Sequence, residues 1–350
     1  MANAPAVDKR APANPADSWS VLGIGLPAWR KGWGSAALVI ALAFCWLFED
    51  FTLFQLTNGF IYAIAILGLM LLTGFNGQFS LGHSAFFAVG AYTAAIMMDQ
   101  WQVAYYWTLV PAGFICLIVG FLFGLPALRL GGLYLALATF ALAVATPQLL
   151  KYEKFEHWTG GVQGLDLDKP ESPFACGDDE EPGSFLGCMS DDQWIYLFVL
   201  VILLVMCYCA YNLVRGRTGR AMIAIRDNPI AAQTMGINTA LYKSLTFGVS
   251  GLFTGVAGAL SAIAIQFVAP DSFTFILAIS FLVGLVVGGL VSIPGAIVGG
   301  LFILYVPNLT EDFQGLAWTA YGVVLIVAVY VMPMGAAGLV KMLTAKLIRR

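Results

Sequence analysis

Apolar residues occur along this chain in long unbroken runs, separated by short polar or glycine-containing interruptions. A helix needs about 20 apolar residues to cross a hydrocarbon layer of roughly 30 Å, and the runs have that length. They predict membrane-spanning helices near 33–49, 54–73, 83–98, 105–127, 132–150, 193–214, 242–266, 273–291, 294–309 and 317–334. A transmembrane barrel would instead show alternating segments of about 10 residues, and the chain has none. The expected fold class is an all-α polytopic membrane protein of about ten transmembrane helices.

The polar residues are sorted rather than mixed. The segments at 151–192 and 215–241 are the two long interruptions. Basic residues tend to stay on the cytoplasmic side of short loops. With ten spans and both termini inside, the inside segments hold Lys9, Arg10, Arg30, Lys31, Arg129, Arg215, Arg217, Arg220, Arg226, Lys243, Lys341, Lys346, Arg349 and Arg350. The other three basic residues, Lys151, Lys154 and Lys169, fall in 151–192 with many of the 20 acidic residues. That loop is therefore expected outside, and parity and charge agree. Five spans precede it and five follow it, so the halves run in opposite directions, as in an inverted repeat. The expected organisation is a cytoplasmic tail at 1–32, a transmembrane domain at 33–341 and a short cytoplasmic tail at 342–350. The tail at 1–32 has no apolar stretch ending in a small-residue cleavage site, so no signal peptide is expected. Trp19, Leu22, Ile24 and Leu26 would let part of it lie on the membrane surface.

Composition narrows the function. Only 11% of the 350 residues are charged and 60% are hydrophobic, against about 25% charged in a soluble domain. The net charge of −3 gives no reason to expect a nucleic-acid partner. Ionisable residues inside a membrane are costly and mark ion or proton paths. Here no Asp, Glu, Lys or Arg falls at a span centre, and His83 opens a span. A proton-driven carrier or a voltage sensor is therefore disfavoured. There is no GxxxxGK[ST] loop for nucleotide phosphate and no metal-ligand spacing, so neither enzyme chemistry nor a metal site is expected. Cys176 and Cys188, twelve residues apart in the outside loop, fit a disulfide in an oxidising compartment; two unpaired thiols fit equally.

Two stretches carry the functional reading. In 215–241, Thr218 or Gly219 can open a short helix, Asp227-Asn228 can cap a second, and Pro229 suits the first position of that second helix. Gly236 resembles a helix C-cap, so a helical hairpin on the cytoplasmic surface is expected. Ala231, Ala232 and Gly236 form A-A-x-x-x-G, which leaves one face low enough for close packing by a partner. Arg220 and Arg226 can pair with acidic groups or lipid phosphates. A plain amphipathic connector would look the same from spacing alone. In the second stretch, Gly74, Gly77 and Gly82 interrupt an apolar run, with Asn76, Gln78 and Ser80 between them and His83 and Ser84 directly after. Irregular polar backbone at membrane depth is tolerated where it is buried in protein or lines a water-filled cavity. The reading is a broken helix beside a substrate path, lined by Asn76, Gln78 and Ser80, whose free backbone groups can bind a zwitterion; the alternative is a plain turn between two spans. Further glycines at a spacing of four, Gly251/Gly255, Gly284/Gly288 and Gly295/Gly299, predict close helix approach rather than a gate.

The stretch "GRAMIAIRDNPIAAQTMGIN" at 219–238 resembles the coupling segment of LivM-type permeases, the inner-membrane subunits of the branched-chain amino-acid ABC importers. So do "LTGFNGQFSLGHSAFFAVGAYTAA" at 72–95, "GLPALRLGGLYLALATFALA" at 124–143, "FVAPDSFTFILAISFLVGLVVGGLVSIPGAIVGG" at 267–300 and "MPMGAAGLV" at 332–340, in the same order. The similarity runs from about 54 to 341 and is specific to the family rather than to a cargo. It implies a second, LivH-like permease subunit, two ATPase subunits that hold ATP and Mg, and a periplasmic substrate-binding protein docking on the outside face. It also implies that Arg220, Ala224, Arg226, Asp227, Asn228, Ala231, Ala232 and Gly236 contact the ATPase. The family's usual acid before the paired alanines is Ile230 here, which removes that acid's salt bridge. Related permeases carry urea, short amides or aromatic acids, so those cargoes stay open beside branched-chain amino acids. A lone ion-coupled carrier would need charged groups that the spans lack.

Overall fold

The computed structural model describes residues 49–127, 132–173 and 189–310, together with residues 322, 326, 327, 330 and 335. Both tails, nearly all of the spans expected at 33–49 and 317–334, and Cys176 and Cys188 lie outside the described residues. The longer helices are α1 (Asp50–Leu69), α2 (His83–Asp99), α3 (Tyr105–Ala127), α4 (Leu133–Leu150), α6 (Asp191–Arg215), α9 (Thr239–Ile265), α10 (Phe275–Gly288) and α11 (Ile293–Thr310). Between them lie α5 (Glu156–Thr159), α7 (Arg217–Asp227) and α8 (Pro229–Thr234). Each predicted span from 54–73 to 294–309 holds one of the longer helices.

Among the described residues, four segments are long and apolar enough to cross a membrane by themselves: Asp50–Phe75, Tyr105–Pro126, Asp191–Arg215 and Thr239–Ile265. A fifth is added if Tyr134–Leu150 and Glu153–Thr159, bent by 64°, form one span. Helices α10 and α11 are apolar but shorter. The chain is a mostly helical, polytopic membrane protein. It departs from an all-α reading in one small way: Leu165–Asp166 (β1) pairs antiparallel with Phe267–Val268 (β2).

Helices α1 and α9 form the centre. In their most apolar windows 89% and 83% of residues are buried, against 39% in α3 and 33% in α6. The burial follows from small residues on facing surfaces. A Cβ on Gly120 of α3 would lie 2.9 Å from the Phe247 carbonyl of α9, and one on Gly251 would lie 2.6 Å from the Cys116 carbonyl of α3. Gly90 of α2 meets Gly255 of α9, where a Cβ would fall 2.0 Å from the carbonyl oxygen. Gly284 and Gly288 of α10 face Gly299 and Gly295 of α11 in the same way. The glycines expected to give close packing do so. The outer face of α3 carries Val110, Phe114, Ile118 and Leu122, all exposed at a spacing of four, an apolar stripe that a soluble protein would cover.

The connections sort to two ends of the bundle. At one end, Gln100 donates to the His157 carbonyl, Lys151 pairs with Asp271, and Lys169 pairs with Asp192 at 3.1 Å. Ser190 caps α6 in a reciprocal capping box with Gln193 and donates to Asp50 at 2.9 Å. At the other end lie the interruption after α1, the α7–α8 hairpin and the turn between α10 and α11.

Candidate functional site

The hairpin is built by local rules. Its first helix, α7, buries Ala221, Met222 and Ile225 and leaves Arg217 and Arg220 exposed, one apolar stripe at helical spacing. Asn228 ends α7 and caps α8: its Oδ1 accepts from the Ile230 and Ala231 N–H groups at 3.1 and 3.0 Å. Pro229 holds the first position of α8, where its missing N–H removes no helical bond. The chain then turns through Gly236 at φ +81, a left-handed conformation that favours glycine, and Asn238 caps α9 by accepting from Leu241 N–H. Gln233 donates across the turn to Thr239 at 2.8 Å.

The coupling residues expected from the sequence divide into two faces. Ala231, Gly236, Asp227 and Asn228 are exposed, whereas Ala232 is buried and Ala224 half-buried. The exposed Arg220 donates to the Arg215 carbonyl at 3.3 Å. Arg226 turns toward the body of the protein: its guanidinium donates to the Gly74 carbonyl at 3.0 Å and pairs with Asp227. Two large apolar side chains absent from the expected set stand out from the hairpin, Ile230 at 73% exposed and Met235 at 83%. Their signal was present in the sequence, as apolar residues flanking a small-residue motif on a short polar helix.

The interruption after α1 is a π-helical turn, Met70–Phe75, followed by non-helical residues up to His83, where α2 begins. Gln78 N–H bonds back to the Leu72 carbonyl at 3.1 Å, and Thr73 Oγ1 donates to the Gln78 carbonyl. Asn76 donates to Gln78 Oε1 at 3.2 Å, while the buried Asn76 Oδ1 has no partner. Leu81 N–H donates to Thr139 Oγ1 of α4 at 2.9 Å, and Gly82 abuts the Thr139 carbonyl. A Cβ on Gly74 would lie 1.7 Å from the Leu290 carbonyl in the α10–α11 turn.

The structure brings Asn76, Gln78, Ser80 and His83 together, all buried within this one chain. A cavity of about 220 Å³ lies at the opposite end, between Met98–Tyr105 and Asp166–Pro170, and the expected path residues do not line it. His83 is instead part of a hydrogen-bonded chain. Ser250 Oγ–H donates to the Gly68 carbonyl at 2.7 Å. Ser250 has one proton, so the 2.7 Å contact with His83 has Nε2–H as donor and Ser250 Oγ as acceptor. Nδ1 is then bare and accepts from Ser80 Oγ at 3.3 Å. The chain joins α2, α9, α1 and the interruption. Thr139 and Ser250 are the residues that sequence reading missed; each is a polar residue inside an apolar run.

These features define a helical membrane protein in which a protruding hairpin packs against the connection that follows the central span α1. Comparison gives the family. The family model described as "Branched-chain amino acid transport system / permease component" matches residues 51–332, and the chain belongs to that family. It is 31% identical over 313 residues to the high-affinity branched-chain amino acid transport system permease protein LivM of Escherichia coli K12, covering 86% of this chain and 73% of that protein. It is 26% identical to the permease protein LivH of Salmonella typhimurium, over 81% of this chain and 92% of that one. The corresponding figures for BraD of Pseudomonas aeruginosa are 24%, 81% and 93%. No solved structure matches the chain.

Proposed function

We propose that this chain is the transmembrane permease subunit of an ABC importer that moves branched-chain or related amino acids inward. The observation that carries this reading is family membership across residues 51–332, with relatives named as branched-chain amino acid permeases on both the LivM and LivH sides. Ten spans in a five-plus-five inverted arrangement sit in a bacterial inner membrane, with both termini and the hairpin cytoplasmic and the 151–192 loop outside. The chain itself catalyses no reaction. Separate ATPase subunits bind ATP and Mg, and the exposed face of the hairpin, with Arg220, Asp227, Asn228, Ala231 and Gly236, meets them. A second, LivH-like permease completes the path, a periplasmic binding protein delivers the cargo, and lipid covers the apolar outer stripe. The broken segment from Gly74 to His83 borders the path where the two permeases meet, with Asn76 Oδ1 as its unpaired buried acceptor.

Affinity purification of the chain from its native membrane, followed by identification of the proteins that travel with it, tests this. A second permease and ATPase subunits are expected. A transport-competent chain that travels alone contradicts the proposal.

A further inference from the structure

We infer that Arg226 is a positioning residue that links the hairpin to the end of the central span, so that motion of the hairpin pulls on the end of α1. This rests on the reading of the hairpin as the ATP-driven handle. Among the coupling positions carried over from the family, Arg226 is exposed, yet its guanidinium bonds to the body of the protein. Its NH1 group donates to the Gly74 carbonyl at 3.0 Å, while its Nε and NH2 groups hold Asp227 Oδ1, each at 3.0 Å. The aliphatic stem lies on Gly77: a Cβ there would sit 2.7 Å from Arg226 Cγ and 3.3 Å from its Cβ.

The accepting carbonyl belongs to the last turn of a helix that stops. Such carbonyls lose their intrahelical donors, and a cation is favoured at that end of the helix dipole. Arg226 therefore caps the end of that span with a charge-assisted bond from a different element. Gly77, at φ +72, is the residue that lets the backbone turn and the arginine stem approach together. On its other side the same turn is wedged by Leu290, through Gly74. The end of that span is held between the hairpin and the α10–α11 turn, so it cannot stay in place if the hairpin shifts. A planar guanidinium serves both acceptors at once, which a lysine ammonium at the same position does less well.

The test uses the whole importer in proteoliposomes, with its binding protein, and reads ATP hydrolysis and solute uptake on the same preparation. At ATPase concentrations that saturate the complex, Arg226→Ala should lower uptake per ATP hydrolysed about tenfold or more, the scale for losing a charge-assisted bond. Arg226→Lys should recover part of that ratio. If Arg226→Ala assembles poorly, the ratio is read on Arg226→Lys, which should lie below that of the wild type. An unchanged uptake-to-hydrolysis ratio in these variants overturns the inference, and so does weakened ATPase binding with a normal ratio at saturating ATPase, which would make Arg226 a partner contact. A wild-type complex without ATP-driven uptake would instead remove the reading of the hairpin as a handle.

Discussion

His83 and Ser250, 167 residues apart in sequence, share a buried hydrogen bond of 2.7 Å from Nε2 to Oγ. Ser250 in turn donates to the Gly68 carbonyl, so one serine ties the start of α2 to the two central helices. Side-chain hydrogen bonds between membrane helices contribute about 0.6–2 kcal/mol. A double-mutant cycle of His83→Ala and Ser250→Ala, read by thermal unfolding in detergent, should give a coupling in that range. Strictly additive single losses would show that the bond carries no stability.

The glycines differ in why they are needed. Gly90 has the carbonyl of Gly255 where a Cβ would go, at 2.0 Å. Gly90→Ala must push α2 away from α9 and should cost about 1–3 kcal/mol or more, as overpacking does. Gly236 has open space around it and only an unfavourable φ of +81. Gly236→Ala should cost about 1 kcal/mol and Gly236→Asn less. Melting temperatures of the purified chain decide this, and equal losses at the two positions would contradict it.

Ile230 and Met235 are large, apolar and exposed on the hairpin, where the family's usual acid is absent. The proposed ATPase contact should therefore rest on these side chains more than on an ion pair. Ile230→Ser and Met235→Ser should each weaken ATPase binding about tenfold, a loss of about 1.4 kcal/mol, without lowering the chain's own stability. Raised salt should change binding little. A wild-type affinity in both variants, measured by pull-down across ATPase concentrations, would remove them from the interface.

Much of the helix pattern was legible because glycine, proline and charge punctuate the apolar runs. The helix at Tyr105–Ala127 fills its predicted span from end to end, and the α7–α8 hairpin follows from Asn228, Pro229 and Gly236. The β1–β2 ribbon was not legible, because two-residue strands are too short to show alternation. The break at Gly74–Gly82 could be read from its polar residues, but its surroundings could not. Gly74 and Arg226 are 152 residues apart, and Arg226 lies at the end of a short helix where its direction is set by packing. For the same reason the expected path residues were found together, while their burial inside one chain was not foreseen.

The orientation has its own test. Asp168, beside the cavity at the loop end, and Met235, on the hairpin, are both exposed. In spheroplasts, a membrane-impermeant maleimide should label a cysteine placed at 168 and should reach one placed at 235 only after permeabilisation. Mass spectrometry of the labelled peptides separates these sites from Cys176 and Cys188. Labelling of position 235 in intact spheroplasts would invert the topology.

The most direct measurement is amino-acid uptake by proteoliposomes that contain this chain and its partner permease, with and without the ATPase subunits, with ATP sealed on the hairpin side and binding protein on the other. The account predicts accumulation that requires both the ATPase subunits and ATP. Accumulation against a gradient by this chain alone, driven by an ion gradient with no nucleotide present, would contradict it.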